Sequence, residues 1–155
     1  MYIFNLIYNI TKKIMELIST HLILKLDLGF HNSVFGGKIL SWVDCASASY
    51  CMQLCDTPRV VTASIDKCNF EKPAKEGQLV KIYGTPSKIG NTSLTLYIEV
   101  RLHNVYTGKQ SLILKTNICF VNIDDEGNPI PITDKARNRI TGILKNAETL
   151  VEELA

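Results

Sequence analysis

One long helical pattern followed by four strand patterns with no helix between them is what most constrains this chain. The helix reads from Gly36-Gly37 to about Cys55, and Pro58 marks its end. Strand patterns follow at residues 59–70, 78–84, 93–105 and 111–123, with turn chemistry at "KEGQ", "KIGNTS", "YTGK" and "DDEGNP". The connections are short, so antiparallel hairpins are expected. A single apolar helix must then be covered by one mostly antiparallel sheet, and a sheet curled around the helix achieves this.

The remaining segments complete a β-α-β-β-β-β-α order. Residues 21–28, "HLILKLDL", alternate at Leu22, Leu24, Leu26 and Leu28, which predicts a strand with one buried face. The apolar phase of 59–70 changes near Asp66-Lys67, which predicts a bulge or bend there. The run "ICFV" in 111–123 is apolar on both faces, as in a central strand. From Asp134 the tail reads as an amphipathic helix, with Ala136, Ile140, Ile143, Leu144, Ala147, Leu150, Val151 and Leu154 on one stripe. It is read as a packed surface helix; Glu152 and Glu153 argue against a lipid-binding role. An open sheet of this kind leaves unpaired edges, which edge-to-edge dimerisation would satisfy.

Composition narrows the function classes. At 155 residues, 46% hydrophobic and 21% charged, the chain supports one globular core. A net charge of +2, with lysines and arginines scattered, offers no stripe for nucleic acid. The opening "MYIFNLIYNITKKIMELI" is apolar but broken by Asn5, Asn9, Lys12 and Lys13, well short of the roughly 20 residues of a membrane span. It lacks the layout of a secretory signal. Residues 1–19 are therefore read as a non-core extension, a short amphipathic helix being one form, with Met15 a second candidate start. The main domain spans 20–132 and the C-terminal helix 133–155. Five cysteines, an odd number without a C-x-x-C pair, read as buried free thiols in a reducing cytoplasm and not as a metal or disulfide site.

Asp44 stands out. Aspartate is a poor mid-helix residue, and no basic side chain lies three or four positions away. Three readings are open: a solvent-facing residue at a helix edge, a hydrogen bond to a neighbouring strand, or a charge used by something outside the helix. Gly36 and Gly37 permit close approach to the first backbone N–H groups of the helix, which have no internal acceptors and carry the positive end of its dipole. Such groups can donate to a carbonyl oxygen that turns negative during reaction. Asp44 lies seven residues further, about 10 Å along the axis. A site shared between two protomers would bring the acid of one to the glycine amides of the other.

Four blocks, "VFGGKILSWVD", "VVTASIDKCNFEKPAKEGQLVKIYG", "KIGNTSLTLYIEV" and "CFVNIDDEGNPIPI", resemble the acyl-CoA thioesterases of the hotdog fold. The closest likeness is to the cytosolic bacterial and brain-type acyl-CoA hydrolases, over about residues 20–132. The resemblance implies an α+β hotdog fold: five or six antiparallel strands around a long central helix, with a C-terminal helix added. It implies a dimer with a continuous sheet, often a trimer of such dimers. It also implies hydrolysis of acyl-CoA to a free acid and coenzyme A, with no metal or organic cofactor.

By position, the resemblance makes Asp44 the helical acid, a general base on water or, less in keeping, a direct nucleophile. It makes Gly37, beside Gly36, the amide facing the thioester carbonyl. Gly90, Asn91, Thr92 and Ser93, with Lys88 near, match the segment beside the pantetheine and phosphates of CoA. Phe70 and Lys72 match a strand segment next to the site. Two departures are visible. Relatives carry an Asn further before the glycines; here Asn32 stands nearer them and is the candidate polariser, with His31 a second candidate and turn chemistry the plain alternative for both. Cys45 replaces a common Glu and is read as packing. The rival readings are a non-catalytic acyl-CoA-binding module and a hotdog dehydratase, for which His31 would be the only histidine available.

Overall fold

A computed structural model of the chain describes residues 14–154. Five strands form one antiparallel sheet: β1 (Glu16–Leu22), β2 (Val60–Ile65), β3 (Leu79–Ile89), β4 (Ser93–His103) and β5 (Gln110–Asn122). Their spatial order is β1-β3-β4-β5-β2. Helix α1 (Gly36–Cys55) lies on one face, and helix α2 (Asp134–Leu154) packs against α1 and β3. This is the helix-in-sheet α+β arrangement expected from the order of elements.

The core sits between α1 and the sheet. Leu94, Leu96, Ile98 and Val100 alternate along β4 and are at most 1% exposed, as are Val43 of α1 and Phe120 of β5. Each such side chain contributes about 1.5–3 kcal/mol by leaving water. On the other face of β4, Arg101 donates through Nε to Glu99 (2.8 Å), and Tyr97 donates to the same carboxylate (2.9 Å). That buried pair is tolerated because its polar atoms are hydrogen-bonded.

Helix α1 ends where Asp56 takes a left-handed conformation (φ 54°), its N–H returning to the Met52 carbonyl. Arg139 of α2 closes this end, pairing with the Asp56 carboxylate (3.1 Å) and donating to the Gln53 and Leu54 carbonyls. On the other flank of α2, Arg137 donates to the Gly90 and Asn91 carbonyls at 3.0 and 2.9 Å. The helix is thus buckled to α1 on one side and to the β3–β4 turn on the other. Its apolar stripe is buried at Ala136 and Ile140, but Val151 is exposed.

Several expectations are corrected. β1 begins at Glu16, inside the 1–19 stretch read as an extension, and ends at Leu22; residues 1–13, for which a short amphipathic helix is one expectation, lie outside the described residues. Residues 21–28 are not one strand. Lys25–Asp27 form a 3₁₀ turn in which Asp27 accepts the Leu24 N–H (2.9 Å). Ile23 is buried, while Leu22, Leu24 and Leu26 are 54%, 53% and 94% exposed. Ile23 is the inward position before the turn, its N–H and C=O pairing with Gln78 O and Gly77 N–H, and the turn closed by Asp27 ends the extended run.

β2 ends at Ile65 and not at Phe70, with an irregularity between Thr62 and Ser64. Val61, Ala63 and Ile65 remain exposed because β2 is an edge strand. Beyond it the chain still runs beside β5 through Asp66 N–H to Asn117 O (2.9 Å) and Glu71 N–H to Ile113 O (2.8 Å). β3 continues to Ile89, five residues past the predicted end. Of the cysteines only Cys51 and Cys55 are buried; Cys45, read as packing, is exposed on the outward face of α1.

Candidate active site

The N-terminus of α1 carries no side-chain cap. Lys38 and Ile39 N–H groups return to the Phe35 carbonyl, whereas the Gly36 and Gly37 amides precede any intrahelical acceptor. Gly36 faces the Phe70 ring closely: a Cβ there would sit 3.0 Å from it. Gly37 has nothing within 4 Å of its Cβ position, so its backbone opens directly outward. A cleft of about 330 Å³ lies here, lined by Gly36, Ile39, Phe70, Lys72 and Ala74 among others. Val34 N–H to Ala74 O (2.8 Å) ties the helix entry to this wall. The structure therefore unites Gly36, Phe70 and Lys72, three residues far apart in sequence.

Asp44 lies elsewhere. It is half-buried on α1, and its Oδ1 accepts a 2.7 Å hydrogen bond from the Thr62 hydroxyl on β2. No cation pairs with it among the described residues. Of the readings left open for this acid, the bond to a neighbouring strand is the one observed. Thr62 was missed in the sequence because a threonine in a β-rich stretch carries no local signal; only its partner, 18 residues away, distinguishes it.

The Gly90–Ser93 segment forms the β3–β4 turn, closed by Gly90 N–H to Ser93 O (2.8 Å). Strand register locates it relative to Asp44. Ser93 pairs with Val121, and Val121 pairs with Val61, the residue before Thr62. Two strand spacings, about 10 Å, separate the turn from β2. The Gly36–Phe70 cleft lies toward the opposite end of β5, at Ile113. Eight residues of strand separate Ile113 from Val121, about 26 Å. One protomer thus carries two groups of candidate residues, Asp44, Thr62 and the turn on one side and Gly37, Phe70 and Lys72 on the other, with Gly37 and Asp44 themselves about 10 Å apart along α1.

Asn32 is exposed and adopts φ 55°, with its N–H donating to Gly29 O (3.1 Å). It makes a left-handed turn, a conformation Asn tolerates better than most residues. His31 is also exposed, its ring edge-on to Phe30 at 5.2 Å. His21 and Trp42 stack at 4.6 Å with an 8° interplanar angle, joining β1 to α1 as a helix–sheet contact. Burial, opposed by Asp27 and reinforced by Lys38, holds the His21 pKa below its ordinary 6.5. Among the described residues no group of three His, Cys, Asp or Glu is placed to hold a metal ion. None of the helices there is long and apolar enough to cross a membrane.

The thioesterase superfamily model matches residues 31–110. The chain is 28% identical over 117 residues to the uncharacterised acyl-CoA thioester hydrolase YkhA of Bacillus subtilis, a match covering 76% of this chain and 67% of the relative. Among solved structures it resembles the hexameric thioesterase y2039 of Yersinia pestis (TM-score 0.71, 28% identity, 77% of this chain and 96% of that one). It also resembles the acyl-CoA hydrolase of Staphylococcus aureus solved with butyryl coenzyme A and coenzyme A (TM-score 0.71, 25% identity, 92% and 87%).

Proposed function

Because the chain belongs to the thioesterase superfamily, we propose that it hydrolyses acyl-CoA to a free acid and coenzyme A, at a site shared between two protomers. One observation carries the reading: Asp44 is a carboxylate without a cationic partner among the described residues, held by Thr62 beside an exposed edge strand. A structural Asp inside a helix is ordinarily neutralised or solvated; one aimed by a hydroxyl at a sheet edge is poised to act on something arriving there.

The geometry of sharing follows from the sheet. β2 is exposed along its length, and antiparallel pairing of two β2 strands would continue the sheet across a two-fold axis. Such pairing reverses direction. It brings the Gly37–Phe70 end of one protomer toward the Asp44–turn end of the other, so that the Gly37 amide and the acid, about 10 Å apart along one helix, can meet a single thioester from two chains. A trimer of such dimers is the assembly proposed, in line with the hexameric relatives.

In this site the thioester carbonyl accepts a hydrogen bond from the Gly37 N–H, strengthened by the helix dipole. Asp44 takes a proton from water as the oxygen attacks the carbonyl carbon. Collapse of the tetrahedral intermediate expels the thiolate of coenzyme A, a good leaving group that picks up the proton. Thr62 orients the carboxylate. Asn32 would serve as a second donor to the carbonyl, and Gly36, Phe70, Lys72, Lys88 and Gly90 to Ser93 contact CoA. CoA enters as part of the substrate, and no cofactor takes part in the reaction as written. The location proposed is the cytoplasm.

A thiol-trapping assay with acyl-CoAs of graded chain length tests the proposal. Release of CoA thiol by the wild type, abolished in Asp44→Asn, is expected. Tight binding without thiol release would replace it with the non-catalytic acyl-CoA module.

A further inference from the structure

We propose that Arg137, on the C-terminal helix, is a phosphate ligand for coenzyme A at the Gly90–Ser93 turn. The inference rests on the acyl-CoA reading above and adds a residue from an element outside the domain that carries the resemblance.

The guanidinium reaches from α2 to the turn and is fixed there by two carbonyls, Gly90 O and Asn91 O, both engaged by Nη2. Carbonyl oxygens orient a guanidinium but leave its full charge unneutralised. No carboxylate pairs with Arg137 among the described residues, although Asp134 lies one helical turn before it. By contrast, Arg59, Arg101 and Arg139 each have an acidic partner. Nε and Nη1 of Arg137 donate to no protein group among the described residues, so donors remain on a side chain whose position is already set. That pre-organisation lowers the entropy cost of using them.

The turn beneath is rigid. Gly90 N–H meets Ser93 O, Ile132 N–H meets Asn91 O (2.9 Å), and Asn122 N–H meets Thr92 O (2.8 Å). A cation fixed on a rigid turn, with exposed Lys88 two residues before it, suits a compact dianion. The phosphates of CoA supply that chemistry at the turn where its substrate arm is proposed to lie. The helix read from sequence as simple packing thereby acquires a role in substrate binding.

The test measures affinity and turnover with the full chain. Calorimetry gives the affinity of wild type, Arg137→Gln and Arg137→Lys for CoA and dephospho-CoA. Kinetics compare kcat/KM for an acyl-CoA and for the matching acyl-pantetheine, which has no phosphate. Arg137→Gln is expected to weaken CoA about tenfold to a hundredfold, with Arg137→Lys in between. The loss on acyl-CoA should exceed the loss on acyl-pantetheine by about tenfold or more, and should lie in KM. A loss confined to CoA assigns the 3′-phosphate; one shared with dephospho-CoA assigns the pyrophosphate. Unchanged CoA affinity, or equal losses on both thioesters, overturns the proposal and leaves Arg137 a latch for the turn. If the wild type binds CoA but releases no thiol, the hydrolytic reading fails while calorimetry still decides Arg137. If the wild type binds no CoA, both fall.

Discussion

The Asp44 carboxylate and the Thr62 hydroxyl stand 2.7 Å apart, joining the middle of α1 to the edge strand of the sheet. Removing either partner should separate chemistry from binding. Asp44→Asn is expected to keep the fold and CoA affinity and to lower kcat by about 10²–10⁴-fold, the usual range for a general base. Thr62→Val should lower kcat about tenfold, the scale of one hydrogen bond, with KM little changed and Thr62→Ser restoring it. Steady-state kinetics beside CoA calorimetry check both; wild-type kcat in Asp44→Asn would remove that residue from the mechanism.

Adjacent glycines should respond differently to the same substitution. A methyl at Gly36 meets the Phe70 ring at 3.0 Å, so Gly36→Ala should shift that ring by a few tenths of an ångström at the cleft wall. A methyl at Gly37 meets nothing, so Gly37→Ala should leave stability within about 0.5 kcal/mol. It should nonetheless cost activity, because the methyl stands where the thioester must approach the amide. Thermal melts and kcat/KM on both variants decide this; full activity in Gly37→Ala would dismiss the amide as the carbonyl's donor.

The His21–Trp42 stack predicts a pH dependence of stability. The folded-state pKa of His21 lies below 6.5 because burial disfavours its charged form. The unfolded chain therefore takes up the proton first. Stability from neutral His21 is fully present above about 6.5 and is lost as pH falls through the lower folded value. Trp42 is the chain's only tryptophan, so its emission should report the same titration. Both the loss of melting temperature on acidification and the fluorescence midpoint below 6.5 should weaken in His21→Gln. An identical titration in that variant would assign the effect to another group.

Val61 is 43% exposed on the β2 edge. Val61→Lys should leave the protomer folded while blocking edge pairing, since lysine on an edge strand disfavours strand addition. Sedimentation should then show a smaller species, and hydrolysis should fall with assembly if the two halves of the site come from different protomers. A monomer with undiminished turnover would show that one chain suffices.

Much of the architecture was legible because it is written in local periodicity. Helix α1 runs from Gly36 to Cys55 as its punctuation indicates, and the alternation in β4 places Leu94, Leu96, Ile98 and Val100 inward. Gly36, Gly37 and Asp44 were conspicuous for what their neighbours lack: side chains at the helix entry and a cation in its middle.

What only the tertiary structure decided were the partners. Period two describes alternating faces, but not which face is inward: Ile23 is buried while Leu22, Leu24 and Leu26 are exposed, and a turn closed by Asp27 ends the run. Thr62 became notable through a residue 18 positions away, and Arg137 through two carbonyls more than 40 positions away. A side chain bonding to backbone leaves no complementary residue type to read. The separation of Phe70 from the Gly90–Ser93 turn along β5 is likewise a product of register, which joins distant segments by hydrogen bonds that every residue except proline can make.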